Sequence, residues 1–283
     1  MMKITLFFVA MFFALNSFSQ AIQPLQIPPR PADAVGGAEF MQSLIPMTLV
    51  QREEAIFNQA VSGNIPDAFR QMARIETIRQ DANGINQTIV LEVMPDFLAI
   101  GSDEDFYRIP LLPMTAQRIA DAFGAILPTR RLSDLAWEFA EVQMNPQPIP
   151  PSPAMTTVPV FITHNQMIEK QRAAFGKPLS ALIAGHKKDI VITNRIANDA
   201  NGLTRVFIYG WHRLDGRAIQ PLSAAHDIYY TDYSHGVRLI NQQMMINGEV
   251  RNVRDVLRDP VKYRLISDEN GIMRITEYGG EIL

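Results

Sequence analysis

Polar and apolar positions follow two different periods along this chain, and the places where the period changes mark its elements. At Thr48-Leu49-Val50-Gln51 a hydroxyl is followed three residues later by an amide, the pattern that satisfies free N–H groups at a helix start. A helix is therefore expected to Val61, ended by Gly63 and Pro66. Residues 87–93, 97–100 and 106–112 are rich in branched and aromatic side chains and read as strands, with Asp81-Ala82-Asn83-Gly84 marking a hairpin. Ala116, Ile119, Ala120, Phe123 and Ile126 recur at helical spacing after Thr115, and Ser133 is expected to cap a further helix carrying Leu135, Trp137, Phe139 and Ala140.

The second half opens the same way. Thr163-His164-Asn165-Gln166 is another capping box and predicts a helix to Phe175, stopped by Gly176 and Pro178. Strands are expected at 189–196 and 203–211 about a turn at 198–202, at 228–233, and at 237–246, where Asn247-Gly248 suits a hairpin turn. A short helix over 253–258 ends at Pro260, and 263–275 reads as two edge strands about a turn at 268–271. The fold class is α+β: a mixed, largely antiparallel sheet or sheets with several short helices.

Proline lacks a backbone donor, so 21–35, within a Pro-rich leader spanning 20–47, is expected to run extended and poorly ordered. A second Pro-rich stretch, 145–159, separates an N-terminal region, 48–144, from a C-terminal region, 160–283. Each region is near domain size, which leaves open two subdomains or one domain with a crossover. Ahead of them, Lys3, an apolar run over 4–15 and the small residues Ser17 and Ser19 read as a cleavable export signal over 1–19. Twelve apolar residues rise only about 18 Å as a helix, short of the roughly 30 Å hydrocarbon core. The expected localisation is secreted or periplasmic, with no membrane span in the mature protein.

The chain has no Cys, which excludes disulfides, thiolate nucleophiles and thiolate zinc sites. Chemistry falls to His, carboxylates, hydroxyls, Lys or a bound metal. The net charge of −3 becomes −4 when Lys3 leaves with the signal, so no overall attraction to nucleic acid exists and none is expected as a partner.

Candidate chemistry concentrates between 185 and 238, where four of the five His lie, at 186, 212, 226 and 235. Gly185-His186-Lys187-Lys188-Asp189, Gly210-Trp211-His212 and the stretch from Asp232 to Arg238 read as loops at strand ends that build one site. His212, His235 and Asp232 form a candidate metal set, suited to zinc with an open position for water, and His186 ranks next as a member. Without a metal, His235 or His212 would act as general base, Asp232 would orient it, and Arg238 or Lys187 would stabilise an oxyanion. Ser234 is a weaker nucleophile candidate, because its neighbour His235 on an extended chain faces the other way. His226 would lie about 20 Å from Asp232 on such a chain, and His164, in the first turn of its helix, should be dispensable. A further reading makes the cluster structural, with His and Tyr packed in a sheet. Tyr209, Trp211, Tyr229, Tyr230 and Tyr233 suggest a stacking platform for sugar rings, with Lys187 and Lys188 beside it.

Ser234-His235-Gly236-Val237-Arg238-Leu239 resembles the Ser-His-Gly-Cys-aliphatic-Arg signature of the L,D-transpeptidases, a family of cell-wall enzymes, one position shorter and without the nucleophilic Cys. The resemblance points to His235 and Arg238 and carries no transpeptidase mechanism. Taken together, GHKKD, GWH and DYSHGVRL are similar to uncharacterised secreted bacterial proteins. The expected function is a secreted or periplasmic hydrolase-like enzyme acting on a cell-envelope or extracellular glycan or peptide-glycan through a His/Asp site, metal-assisted or not. The alternative is a non-catalytic glycan-binding or structural envelope protein. His212, Asp232 and His235 within about 4 Å of one point would favour catalysis; an exposed aromatic strip with dispersed His would favour binding.

Overall fold

The Thr48 capping box forms as its residues demand: the hydroxyl accepts from the Gln51 N–H and the Gln51 side chain accepts from the Thr48 N–H. In the computed structural model, which describes residues 21–198 and 205–279, six α-helices form: α1 Gly37–Leu44, α2 Leu49–Val61, α3 Pro113–Phe123, α4 Arg130–Glu138, α5 Val158–Ala173 and α6 Val253–Arg258. The first half supplies strands β1 Ala73–Gln80, β2 Asn86–Val93, β3 Ala99–Gly101, β4 Phe106–Arg108, β5 Ala125–Ile126 and β6 Val142–Gln143. The second supplies β7 Ile183–Ala184, β8 Lys188–Ile190, β9 Ile208–His212, β10 Ala218–Ser223, β11 His235–Gly236, β12 Ile240–Asn241, β13 Gln243–Ile246 and β14 Glu249–Asn252.

The fold is α+β, with several mostly antiparallel sheets. The largest sheet runs β14-β13-β2-β12-β5, with β1 paired to β2 through the expected 81–84 hairpin. It therefore takes strands from both halves of the chain. One continuous core runs from Phe40 to Tyr278 and includes Leu91, Ile119, Val191 and Leu239. Residues 145–159 thus act as a crossover between halves that share one core. Among the described residues no helix is long and apolar enough to cross a membrane.

Several elements depart from expectation for local reasons. The Pro-rich stretch 21–35 is extended, as expected, yet it is docked: Gln26 N donates to Phe123 O at 2.8 Å, Arg70 reaches Pro28 O at 2.8 Å, and Leu25 and Ile27 pack on the core. Helix α4 begins at Arg130 with Thr129 as its cap, which places Ser133 inside the helix. Helix α5 begins at Val158 with Pro159 in its first turn, and the Thr163 hydroxyl donates back to Pro159 O at 3.0 Å instead of capping. His164 consequently lies in the second turn, fully buried.

Strand pairing is shorter than the apolar runs suggest. The pairing of 189–196 with 203–211 survives as β8 against β9, with Asp189 opposite Tyr209; the 198–202 turn lies mostly outside the described residues, as does the 1–19 signal. Asn247 and Gly248, both at positive φ, join β13 to β14 as a two-residue hairpin turn requires. Residues 228–233 form turns instead of a strand. Asp227 accepts from Tyr229 N at 2.8 Å and Asp232 accepts from Ser234 N at 2.8 Å, so each aspartate bends the chain onto its own side chain. The two edge strands expected over 263–275 are absent too, because the Asn194 side chain takes the place of a partner strand and binds Arg274 N, Ile275 N and Ile272 O.

Candidate functional site

The three segments singled out by their His residues are neighbours in one sheet of order β10-β9-β8-β11. His235 lies opposite Lys188 in a parallel pair, and Lys188 lies opposite Gly210 in an antiparallel one. Two glycines make this close packing possible. A Cβ on Gly236 would lie 2.5 Å from the Phe97 ring, and one on Gly185, at φ +99, would lie 2.2 Å from Met144 O. The side chains nevertheless divide into three separate networks.

The first surrounds Asp232. Its Oδ1 accepts from Ser234 Oγ at 2.5 Å, its Oδ2 accepts from Tyr230 OH at 3.1 Å, and His235 Nε2 stands 4.0 Å from Oδ2. The turns at Asp227 and Asp232 fold the loop back, so that His226 stacks on Tyr230 with ring centroids 3.7 Å apart. His226 is thus one aromatic ring away from Asp232, much closer than an extended strand would put it. Burial would raise the Asp232 pKa, but His235, the Ser234 hydroxyl and amide, and Lys188 hold it below the usual carboxylate range. Burial drives His235 down to about 4, and neither of its ring nitrogens has a hydrogen-bond partner. A neutral imidazole beside an ionised carboxylate is a competent proton acceptor, yet His235 is wholly buried and Asp232 nearly so.

The second network centres on Asp96, which lies between the strands expected at 87–93 and 97–100. Arg108 Nε reaches both Asp96 oxygens at 2.9 Å, and Arg108 Nη2 is also paired with Oδ2. His186 Nε2 lies 2.9 Å from Oδ1, and Phe97 N donates to the same oxygen at 2.6 Å. Arg108 extends the network to Asn165 Oδ1 at 3.1 Å and Glu169 Oε1 at 2.7 Å. Burial opposes the Asp96 charge, but Arg108 and His186 outweigh it and hold its pKa far below normal. His186, lowered to about 4 chiefly by burial, is held here and does not join His235.

The third network lies around Asp134. His212 Nε2 is 3.0 Å from Asp134 Oδ1, Tyr209 OH donates to the same oxygen at 2.7 Å, and the His212 ring stacks on Trp137 at 5.3 Å. Close by, burial pushes the Asp189 carboxyl up to about 6 despite Arg238, Ser133 and His212.

This geometry corrects several expectations. His212, His235 and Asp232 do not form a metal centre: His212 is engaged by Asp134, and among the described residues no group of three or more His, Asp or Glu is arranged to hold an ion. Arg238 donates to Met94 O at 3.0 Å and Ile183 O at 2.8 Å and stacks on Phe97, so it ties three segments together and has no free face for an oxyanion. Lys187 is buried with its Nζ on Tyr233 O at 2.6 Å, and burial lowers it to about 7. Lys188 lies over the Trp211 ring at 4.8 Å.

The sugar platform contracts as well. Trp211 and Tyr233 are buried, Trp211 at a positive φ of 56 and held by Nε1 on His186 O, Tyr233 by its hydroxyl on Ile149. Tyr209 is occupied by Asp134. What remains open is Tyr229, 73% exposed, and the half-buried Tyr230. These two stand at a depression of about 330 Å³ whose other lining residues are Leu49, Arg52, Thr156 and Thr231. A second hollow, of about 150 Å³ beside Thr193 and Glu269, shares no residue with the three networks.

Asp96, Arg108, Asp134 and Arg52, all in the N-terminal region, were missed by sequence reasoning. Asp96 and Arg108 carried a usable signal, since a charge inside an apolar run must find a partner when buried; Asp134 and Arg52, on helix faces rich in other polar residues, carried none. Compared with family models, curated proteins and solved structures, the chain shows no match to any family, relative or fold neighbour.

Proposed function

We propose that this is an exported envelope protein that binds a glycan, with the ligand seated in the depression beside Tyr229 and Tyr230. The observation that carries this reading is the combination found there: an exposed and a half-buried tyrosine at the rim of a concavity whose wall includes two buried polar groups without partners, Arg52 Nε and Thr231 Oγ1. Sugars present C–H faces to aromatic rings and hydroxyls to such donors and acceptors. The placing of His186, His212 and His235 in separate networks supports binding over hydrolysis.

Titration calorimetry of the exported protein with a panel of envelope oligosaccharides tests the reading. Tyr229→Ala should weaken binding by about 1 kcal/mol, roughly fivefold, while Tyr209→Ala leaves it unchanged. Absence of binding across the panel, or a larger loss for Tyr209→Ala than for Tyr229→Ala, would overturn it.

A hydrolytic reading retains one supporting observation. Tyr230 OH connects the depression to Asp232, and Asp232 lies 4.0 Å from an unpartnered His235. If the bound glycan is cleaved, Asp232→Asn should abolish turnover and preserve binding.

A further inference from the structure

We infer that the depression beside Tyr230 selects a saccharide that carries a carboxylate, with Arg52 as the residue that reads the charge. The inference rests on the glycan-binding reading above and names its ligand class. Arg52 projects from the first turn of α2, is 8% exposed, and leaves its Nε without an acceptor. Its Nη1 makes only a long bond to Thr156 O, 3.3 Å, and the guanidinium lies 5.3 Å over the Phe161 ring. A buried cationic edge without an acceptor is unfavourable, and an incoming anion relieves it.

Thr231 gives an independent indication. It is 2% exposed, lines the same depression, and its Oγ1 also lacks a partner. Two donors each short of one acceptor match a carboxylate, which brings two oxygens. Of the remaining surroundings, the start of α2 agrees in sign. Leu49 is the first residue of α2, so the positive end of that helix borders the depression. The neighbouring buried Glu53 attracts Arg52 electrostatically but makes no hydrogen bond to it; its Oε2 accepts from Leu112 N at 3.1 Å, and burial pushes its pKa up. The volume of about 330 Å³ falls at the small end of ligand sites and fits a short saccharide better than an extended polymer.

The test compares two disaccharides that differ by one acidic group: N-acetylglucosamine joined to N-acetylmuramic acid, and chitobiose. N-acetylglucosamine 6-phosphate serves as a third probe. Calorimetry on the exported protein should show the muramic disaccharide binding at least tenfold more tightly than chitobiose. Arg52→Gln should reduce that preference to within twofold, and Thr231→Val should weaken the acidic ligand alone. Arg52→Lys, which keeps the charge and the aliphatic stem but loses the Nε edge, should lose at least fivefold of the preference and guards against misfolding of Arg52→Gln. Equal affinity for the two disaccharides overturns carboxylate selectivity while the glycan reading stands. Tighter binding of the phosphorylated sugar also overturns it, and failure of all three probes to bind overturns both readings.

Discussion

Removing the charge from Asp96 should destabilise the protein more than any change at the surface. Asp96 is 1% exposed and accepts from Arg108, Phe97 N and His186, while Arg108 is equally buried. Asp96→Asn keeps the shape but turns one of two acceptors into a donor and removes the buried charge, leaving Glu169 as the remaining carboxylate on the Arg108 guanidinium. Breaking one side of a buried pair in this way costs about 3–5 kcal/mol, because the surviving charge stays desolvated. Spread over a chain of this size, that corresponds to a fall in Tm of roughly 6–20 °C. Urea unfolding monitored by circular dichroism measures it directly. Asp96→Leu combined with Arg108→Met should lose far less than the sum of its single changes, since no naked ion then remains. A loss below about 1 kcal/mol for Asp96→Asn would refute the claim that this pair organises the interior.

The buried histidines should make the protein acid-sensitive. His186 and His235, held at about 4, and His164, held at about 2, stay neutral in the fold but take up protons near pH 6.5 when unfolded. Their stabilisation is present above pH 6.5 and fades as pH falls below it, by up to about 2 kcal/mol each by pH 5. Asp189, raised to about 6, acts in the opposite direction between pH 4 and 6 and offsets part of the loss. Thermal melts from pH 8 to pH 5 should show a falling Tm, and a flat profile would contradict the assignment. His164→Ala should cost about 2–4 kcal/mol through the cavity left against Tyr233, 4.7 Å away, with glycan affinity unchanged; an unaltered Tm would mean that the ring is not buried as described.

Elements set by neighbouring residues were legible in the sequence, and those set by distant partners were not. Thr48 and Gln51 cap α2 from three residues apart, and Asn247-Gly248 turns its hairpin with no outside help. Helix α5 was misplaced at its start because Pro159 and Thr163 both carry helix-start signals, and the earlier one won. The stretch 228–233 has strand composition, but Asp227 and Asp232 bind their own backbone and outcompete pairing. The three His-bearing segments, expected to build one site, do share one sheet, but their side chains divide among three networks. Which carboxylate each histidine meets could not be read, since the partner of His186 lies 90 residues away and that of His212 lies 78 away. Burial of Trp211 and Tyr233 was equally hidden, because an aromatic residue that packs in a core and one that stacks on a ligand look the same in a sequence.

On the proposed reading, ligand occupies the depression formed by the start of α2 and the 229–231 turn. Hydrogen–deuterium exchange of the protein, with and without a saturating envelope oligosaccharide, maps where the ligand sits. Slower exchange is expected at residues 49–53 and 227–233 alone, with 208–212 unaffected. Protection centred on His212 and Tyr209 instead, with residues 49–53 unchanged, would contradict it.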